Sequence, residues 1–476
     1  MMDNLKTYLG KRGYCIYKDK ISLEEQRSIR EELMISPYIP KSPIAPQKFP
    51  VYRESPKKFY VPRFFGESLY GVPDTNKLGI PETIDLQFKG DMRPYQENII
   101  STFHRNLNKG GGLLEIPCGR GKTVMALKIL SDLKLKTLVV VHKGFLLNQW
   151  VERIQQFLPG ARIGKIQGPV VDIENKDIVI GMLQSLSMKE YDEDLFSSFG
   201  LTIVDECHHI GAEVFVRSLF KIVTKYVLGL SATMNRKDGL TRVFKMFLGE
   251  VLYKEKRDGN DRVLVKAITF KSNDEEFNEI KYDYRGNPQY STMISKLCSF
   301  NPRTEFILKV VRDIYEENTA QQIMILAHNK SLLKYLHDAI EHRKFASVGY
   351  YIGGMKEEKL KESEKKKIII ATYAMASEAL DVKTLTTLVM ATPKTDITQS
   401  IGRILRTKDH EPLVIDIIDQ HELFMNQWNK RKSYYKKEKY KIISCDSDDY
   451  NNKEYKTVFD PEAPVVRKKK ERVCLL

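Results

Sequence analysis

The sequence predicts an α/β protein: two tandem domains, each a parallel sheet covered by helices, behind an N-terminal accessory segment. Three observations predict it. Short apolar runs that do not alternate with polar residues recur between amphipathic stretches, as parallel strands buried on both faces do. The runs fall into two series, separated by the charged stretch KEKRDGNDR at 254–262. Within the first series, LLEIPCGRGKT at 113–123 joins a strand to a helix through a loop of proline and glycines.

Residues 1–88 form the accessory region. SLEEQRSIREEL opens with a capping box, Ser22 and Glu25, and predicts a short helix. Prolines at 37, 40, 43, 46, 50, 56 and 62 exclude regular helix from the stretch that follows. There Tyr38, Phe49, Tyr52, Phe59, Tyr60, Phe64 and Phe65 alternate with basic residues. Two readings stand: a nucleic-acid surface with stacking rings, or, the favoured one, an extended segment packed over a neighbouring domain. Residues 89–256 form the first α/β domain. Its strands are LLEI, TLVVV (137–141), DIVIG (177–181), LTIVD (201–205) and VLGLS (227–231), with GGG at 110–112 as flexible spacing. Residues 257–445 form the second, with VLVKAITF (263–270), QIMILA (322–327), IIIAT (368–372), TLVMAT (387–392) and PLVIDII (412–418). The charge runs KEEKLKESEKKK (356–367) and KRKSYYKKEKY (430–440) read as solvated helix faces. Residues 446–476 read as a flexible basic tail, whose RKKK has the composition of a nuclear signal.

A hydrophobic content of 42% is enough for sizeable cores and excludes wholesale disorder. The net charge of +15 favours a polyanionic partner such as nucleic acid. Six cysteines without C-x-x-C spacing argue against a zinc site or a disulfide framework, and for a reducing, intracellular compartment. No apolar run has the length of a membrane span, and the N-terminus lacks a signal-peptide core, so no membrane partner is expected.

The loop in LLEIPCGRGKT has the parts of a phosphate cradle. Across Pro117, Cys118, Gly119, Arg120 and Gly121, backbone N–H groups and the helix N-terminus would face an anion. Lys122 would reach the β- and γ-phosphates, and the Thr123 hydroxyl would bind Mg²⁺. The strict spacing has glycine where Ile116 stands, so the loop alone also fits a tight turn between strand and helix. VDECHH supplies the partner. Asp205 ends an apolar run, where open α/β sheets place their ligands, and would hold Mg²⁺. Glu206 would orient or deprotonate the attacking water. Together the two segments predict a nucleoside triphosphatase. Cys118 and Cys207 read as small packing residues, and Arg120 as solvent-facing.

The remaining segments carry a resemblance. RPYQ (93–96), VHKGFLLNQW (141–150), GMLQSL (181–186), DECH, SAT (231–233), ILAHNK (325–330), ATYAMASEALD (371–381) and QSIGRILR (399–406) resemble, in order, the motifs of superfamily 2 helicases. GLSATMNRKDGL and QSIGRILR are similar to the xeroderma pigmentosum group B type. DECHH with SPIAPQKFPVYRESPKKFYVPRFFG resembles the transcript-release helicases of poxviruses and other large DNA viruses. The resemblance implies two RecA-like domains, ATP and Mg²⁺ as cofactors, and a motor that can act as a monomer. It further implies 3′→5′ movement on DNA in transcription or repair, with the transcription machinery as partner. An RNA-dependent ATPase is the competing reading of the same enzyme. By resemblance Gln96 reads adenine and Asp381 joins the nucleotide-binding set. Arg403 and Arg406 act on the γ-phosphate, while His208, Ser231, Thr233 and Gln399 couple phosphate state to strand grip. Two positions depart from the pattern: Ala379 stands in place of a glycine, and Lys237 in place of an acidic residue.

Overall fold

A computed structural model describes residues 5–463, apart from 39–45, 118, 208–210, 235, 237, 256–261, 379–381, 383 and 405–410, and only the backbone at 377, 378, 399 and 403. The chain divides into two compact units, Met1–Lys256 and Arg257–Leu476.

Unit 1 is built on an eight-stranded sheet. Its strands run in the order Val170–Asp172, Ile163–Gln167, Ile178–Met182, Thr137–Val141, Leu201–Val204, Tyr226–Ser231, Gly111–Glu115 and Val251–Lys254. All neighbours are parallel except the first pair. Successive side chains of a strand point to opposite faces. Leu138 and Val140 enter one core and Val139 and Val141 the other, and all four are fully buried. That is why these runs do not alternate. One face is covered by the helices Pro94–Arg105, Lys122–Leu133 and Gly144–Phe157. On the other, the helices Ala212–Leu219 and Thr241–Leu248 bring Phe215 and Phe244 to a 4.2 Å ring separation.

The N-terminal region joins that second core. Arg53–Glu54, Lys58–Val61, Gly13–Tyr17, Thr7–Gly10 and Thr75–Asn76 form a five-stranded sheet in this order. Tyr14, Ile16, Phe59, Val61 and Phe65 are buried in one cluster with Phe215 and Phe244. The packed reading of the aromatic stretch therefore holds for Phe59 and Phe65, but the stretch is not all extended. Arg63–Tyr70 is a helix with Pro62 at its N-cap, where a missing N–H costs nothing. Ser22 and Glu25 form the expected capping box at 2.8 and 3.1 Å.

The glycines at 110–112 are not flexible spacing. Gly111 and Gly112 begin a central strand, and a Cβ at Gly111 would lie 1.9 Å from the Val227 carbonyl oxygen. Close approach of two strands, not mobility, requires glycine there. Among the described residues, six strands of the two eight-stranded sheets escaped the apolar-run criterion: Ile163–Gln167, Val170–Asp172, Val251–Lys254, Val348–Tyr351, Lys441–Asp446 and Lys456–Phe459. Each is only partly buried, so its sequence mixes polar and apolar residues.

Unit 2 repeats the plan. Its sheet runs Val348–Tyr351, Ile368–Thr372, Gln322–Ala327, Leu385–Met390, Leu413–Asp419, Leu264–Phe270, Lys441–Asp446 and Lys456–Phe459, antiparallel only at the last pair. The chain from 446 is thus not simply a flexible tail. Tyr450 is buried, and Lys456–Phe459 is an edge strand.

The run at 430–440 is not a solvated face throughout. It ends the helix Glu422–Lys437, whose Arg431 and Tyr435 are buried, as is Tyr440 beyond it. Arg431 donates from Nε and Nη2 to the two Asp416 carboxylate oxygens, each at 2.8 Å, and Tyr435 Oη donates to Asp416 at 2.9 Å. A second buried pair, Arg303 with Asp419, lies nearby at 2.6 and 2.8 Å.

These side chains converge on the short loop 391–394 that follows the Leu385–Met390 strand. Arg303 donates to the Ala391 carbonyl at 2.9 Å and Arg431 to the Lys394 carbonyl at 2.7 Å. Tyr373 Oη donates to the Thr392 carbonyl at 2.5 Å, and His328 Nδ1 lies 2.9 Å from the Thr392 hydroxyl. Burial and the nearby Lys394 charge hold His328 down to about 4. The ring is therefore neutral at physiological pH and packs this loop rather than lending it charge.

Candidate nucleotide site

The strand Gly111–Glu115 carries the chain into the loop, and the helix Lys122–Leu133 carries it away. Ile116 is fully buried, and its N–H donates to the Ser231 carbonyl at 2.8 Å. It therefore prolongs strand pairing, which explains why a glycine is not needed there. The conformational demand falls on Gly119 and Gly121, with φ of 83° and 82°. Gly121 is also the helix N-cap, and a Cβ on it would meet Gln96 Nε2 at 2.5 Å. The first N–H groups of a helix lack intrahelical partners and face outward from its start, which suits an anion.

Lys122 heads that helix. Its ammonium lies 3.1 Å from the Glu206 carboxylate and donates to the Ile116 carbonyl at 3.3 Å. Asp205 and Glu206 follow the Leu201–Val204 strand, so strand and loop bring together residues far apart in sequence. Glu206 sits at φ 46°, a left-handed conformation unusual outside glycine. The turn directs its backbone N–H onto Asp205 Oδ1 at 2.9 Å. The other Asp205 oxygen accepts from Trp150 Nε1 at 2.8 Å. Trp150 and Asp205 are 1% and 5% exposed, so this bond is shielded from water. Burial first, and then the Glu206 charge, push the Asp205 carboxyl up to about 6. Such a carboxylate is held out of water beside a like charge, which a cation would relieve.

Gln96 is buried beside the loop. Its Oε1 accepts from the Arg93 N–H at 3.0 Å, and its Nε2 donates to the Arg120 carbonyl at 3.2 Å. Tyr95 Oη donates to the same carbonyl at 3.1 Å. Arg120 does not simply face solvent: its guanidinium lies 4.0 Å from the Tyr95 ring centroid and is ion-paired with Glu255. Pro117 and Thr123 are half-buried on either side of the glycines. The Ser231 hydroxyl caps the next strand end, accepting from the Thr233 N–H at 3.2 Å. Burial and the neighbouring carboxylates push the Cys207 thiol up to about 12, in keeping with a packing residue. In the sequence GLSATMNRKDGL, Arg236 pairs with Asp238 and stacks 4.5 Å from the Phe244 ring. Cys118, His208, Lys237, Ala379, Asp381 and Arg406, and the side chains of Gln399 and Arg403, lie outside the described residues; the last two belong to the helix Thr398–Ile404.

Three site residues were not assigned a role from sequence: Trp150, Tyr95 and Glu255. The apolar spacing of Leu147, Trp150 and Ile154 places Trp150 on the sheet-facing side of its helix. No pattern in the sequence, however, shows where its N–H points.

Residues 89–236 match the family described as type III restriction enzyme, res subunit. The L396 protein of Acanthamoeba polyphaga mimivirus, provisionally named an ATP-dependent RNA helicase, is 35% identical over 457 residues, 93% of this chain and 87% of its own. The chain belongs to the superfamily 2 helicases. Among other members, XPB2 of Sulfurisphaera tokodaii, named a DNA 3′-5′ translocase, is 25% identical over 385 residues, 70% of this chain and 82% of its own. The fold of this helicase, two RecA-like domains, is shared with S. cerevisiae Dbp5 bound to RNA and ADP BeF3. There the TM-score is 0.52 at 14% identity, covering 75% of this chain and 91% of Dbp5. Among the described residues, no helix is long and apolar enough to cross a membrane.

Proposed function

We propose that this helicase hydrolyses ATP with Mg²⁺ to drive 3′→5′ movement along DNA in transcription or repair, in a reducing, intracellular compartment. The observation that carries the hydrolysis is the meeting of Lys122, Asp205 and Glu206 beside the phosphate loop, with 3.1 Å between Lys122 and Glu206. The polarity, the DNA substrate and the role come from the resemblance. In this reading the ammonium leaves Glu206 for the incoming β- and γ-phosphates, and the freed carboxylate turns to the attacking water. Backbone N–H groups from Gly119 to Thr123 bind the phosphates, and Gln96, already fixed to the loop by Arg120, offers its remaining amide hydrogen to the base.

Asp205 and Thr123 suit Mg²⁺, which is commonly held by one or two protein groups plus substrate phosphates. Among the described residues there is no cluster of three or more candidate ligands that would suggest a different metal. Bound Mg²⁺ neutralises charge on the phosphates. Arg403 and Arg406 act in the same step on the γ-phosphate, a contribution of about 10³ to 10⁵ in rate for such arginines. Asp381 adds a nucleotide contact. His208, Ser231, Thr233 and Gln399 pass the phosphate state to the strand-gripping segments.

Trp150 serves the reaction as a positioning residue. Trp150→Phe keeps most of the packing but frees one Asp205 oxygen. The half-saturating Mg²⁺ concentration is expected to rise by about tenfold, as for loss of a partner behind a metal ligand. Titrating Mg²⁺ at saturating ATP measures this, and an unchanged midpoint removes the role.

The name of XPB2 favours DNA. The name of the mimivirus relative favours RNA, the second reading. ATPase assays with duplex DNA, single-stranded DNA and RNA separate the two, and stimulation by RNA alone defeats the first. Grip should be mainly on phosphates, so log affinity should fall against log salt by about 0.7 to 0.9 per phosphate contacted. A flat salt dependence would contradict that mode.

A further inference from the structure

We propose that the hairpin at 281–290 in unit 2 is a stacking contact for single-stranded nucleic acid; the proposal rests on the helicase reading above. Tyr284 is 87% exposed and Tyr282 54%. Two large rings held this far into water, close together, point to a ligand that covers them.

The backbone beneath them is fixed. The Asp283 N–H donates to the Asn287 carbonyl at 2.8 Å, and Gln289 N–H to the Lys281 carbonyl at 2.8 Å. Asp283 Oδ1 accepts from the Arg285 and Asn287 N–H groups at 2.8 and 2.9 Å. Gly286, at φ 76°, closes the turn. The rings are thus displayed by a preformed turn, which lowers the ordering cost of binding.

The base of the hairpin is anchored at a telling place. Tyr290 Oη donates to the Pro393 carbonyl at 3.4 Å, on the same loop that Arg303, Tyr373 and Arg431 hold. That loop lies beyond the C-terminal end of the Leu385–Met390 strand. The parallel strands Gln322–Ala327 and Ile368–Thr372 end at the same level, with Leu326 opposite Met390 and Ala327 opposite Thr372. Those two ends open into ILAHNK and ATYAMASEALD, which resemble nucleic-acid-gripping segments. The hairpin therefore projects from the edge of unit 2 that carries them.

Its chemistry selects the occupant. Lys281 and Arg285 flank Tyr282 and Tyr284, and the Arg285 guanidinium lies 5.0 Å from the Tyr284 ring centroid. Asp283, between the two tyrosines, accepts from the turn's own N–H groups, while Lys281 pairs with Glu279. Aromatic faces flanked by cations bind single strands without sequence preference, since every base has a stacking face. An apolar protein groove would instead have to bury Lys281 and Arg285 along with the rings, which is costly.

The test uses the full chain with Tyr282→Ala/Tyr284→Ala and Tyr282→Phe/Tyr284→Phe variants, and fluorescence anisotropy of labelled oligo-dT and oligo-U. Both variants should keep the parent's melting temperature. The alanine variant should bind both oligonucleotides about tenfold or more weakly, as expected for lost base stacking. The phenylalanine variant, which keeps the rings, should bind within about twofold. Alanine binding within twofold of the parent overturns the proposal and leaves the hairpin to a protein partner. A parent ATPase that no nucleic acid stimulates would instead overturn the motor reading, so the two failures are distinguishable.

Discussion

Glu206→Gln is expected to lower nucleic-acid-stimulated ATP hydrolysis by at least about 10²-fold, the usual contribution of a positioned general base. Nucleotide affinity should stay near that of the parent. Glutamine has the same shape and adopts the backbone turn at φ 46° as glutamate does, so the loop is preserved. The substitution removes the carboxylate paired with Lys122, but in the proposed cycle that ammonium moves to the phosphates. It also removes the negative charge that helps raise the Asp205 carboxyl, which should fall back towards the ordinary carboxylate range. Steady-state turnover and fluorescent-nucleotide binding, measured on one preparation, decide the matter. Turnover within fivefold of the parent would show that another group handles the water.

The largest stability effect is expected in unit 2, from Asp416→Ala. Asp416 is fully buried and receives two hydrogen bonds from Arg431 and one from Tyr435. Removing it leaves a guanidinium at 1% exposure without its counter-charge. Breaking a buried pair in this way costs about 3–5 kcal/mol. For a unit of this size that corresponds to a fall of roughly 10 °C in Tm, measurable by calorimetry. The pair itself need not stabilise the fold. Replacing both members with apolar residues, Arg431→Met with Asp416→Leu, should cost much less, because no charge is then left stranded. A single variant that melts within about 2 °C of the parent would show that water reaches Arg431.

The parallel sheets were legible because a strand buried on both faces must be apolar at every position, and such runs survive inspection of the sequence. Strands with a half-exposed face were not, as Ile163–Gln167 illustrates with its buried and exposed residues in turn. Composition misled at Gly111, where three glycines suggest freedom but strand contact permits nothing larger. It misled again at Arg431, since a run of basic residues does not reveal which one a helix turns inward. In the candidate site, local motifs single out Lys122, Asp205 and Glu206, and the fold brings Lys122 and Glu206 to 3.1 Å. Trp150 was not, because its role depends on the direction of one N–H across a helix–strand contact.

The chain contains two tryptophans, and the fold has placed one in each unit. Trp150 is buried against the Asp205 carboxylate, while Trp428 packs 6.1 Å from the Tyr435 ring. Each indole is thus an intrinsic fluorophore for its own half of the molecule. Emission from a chain retaining only one of them reports the denaturation of that half alone, with no dye attached.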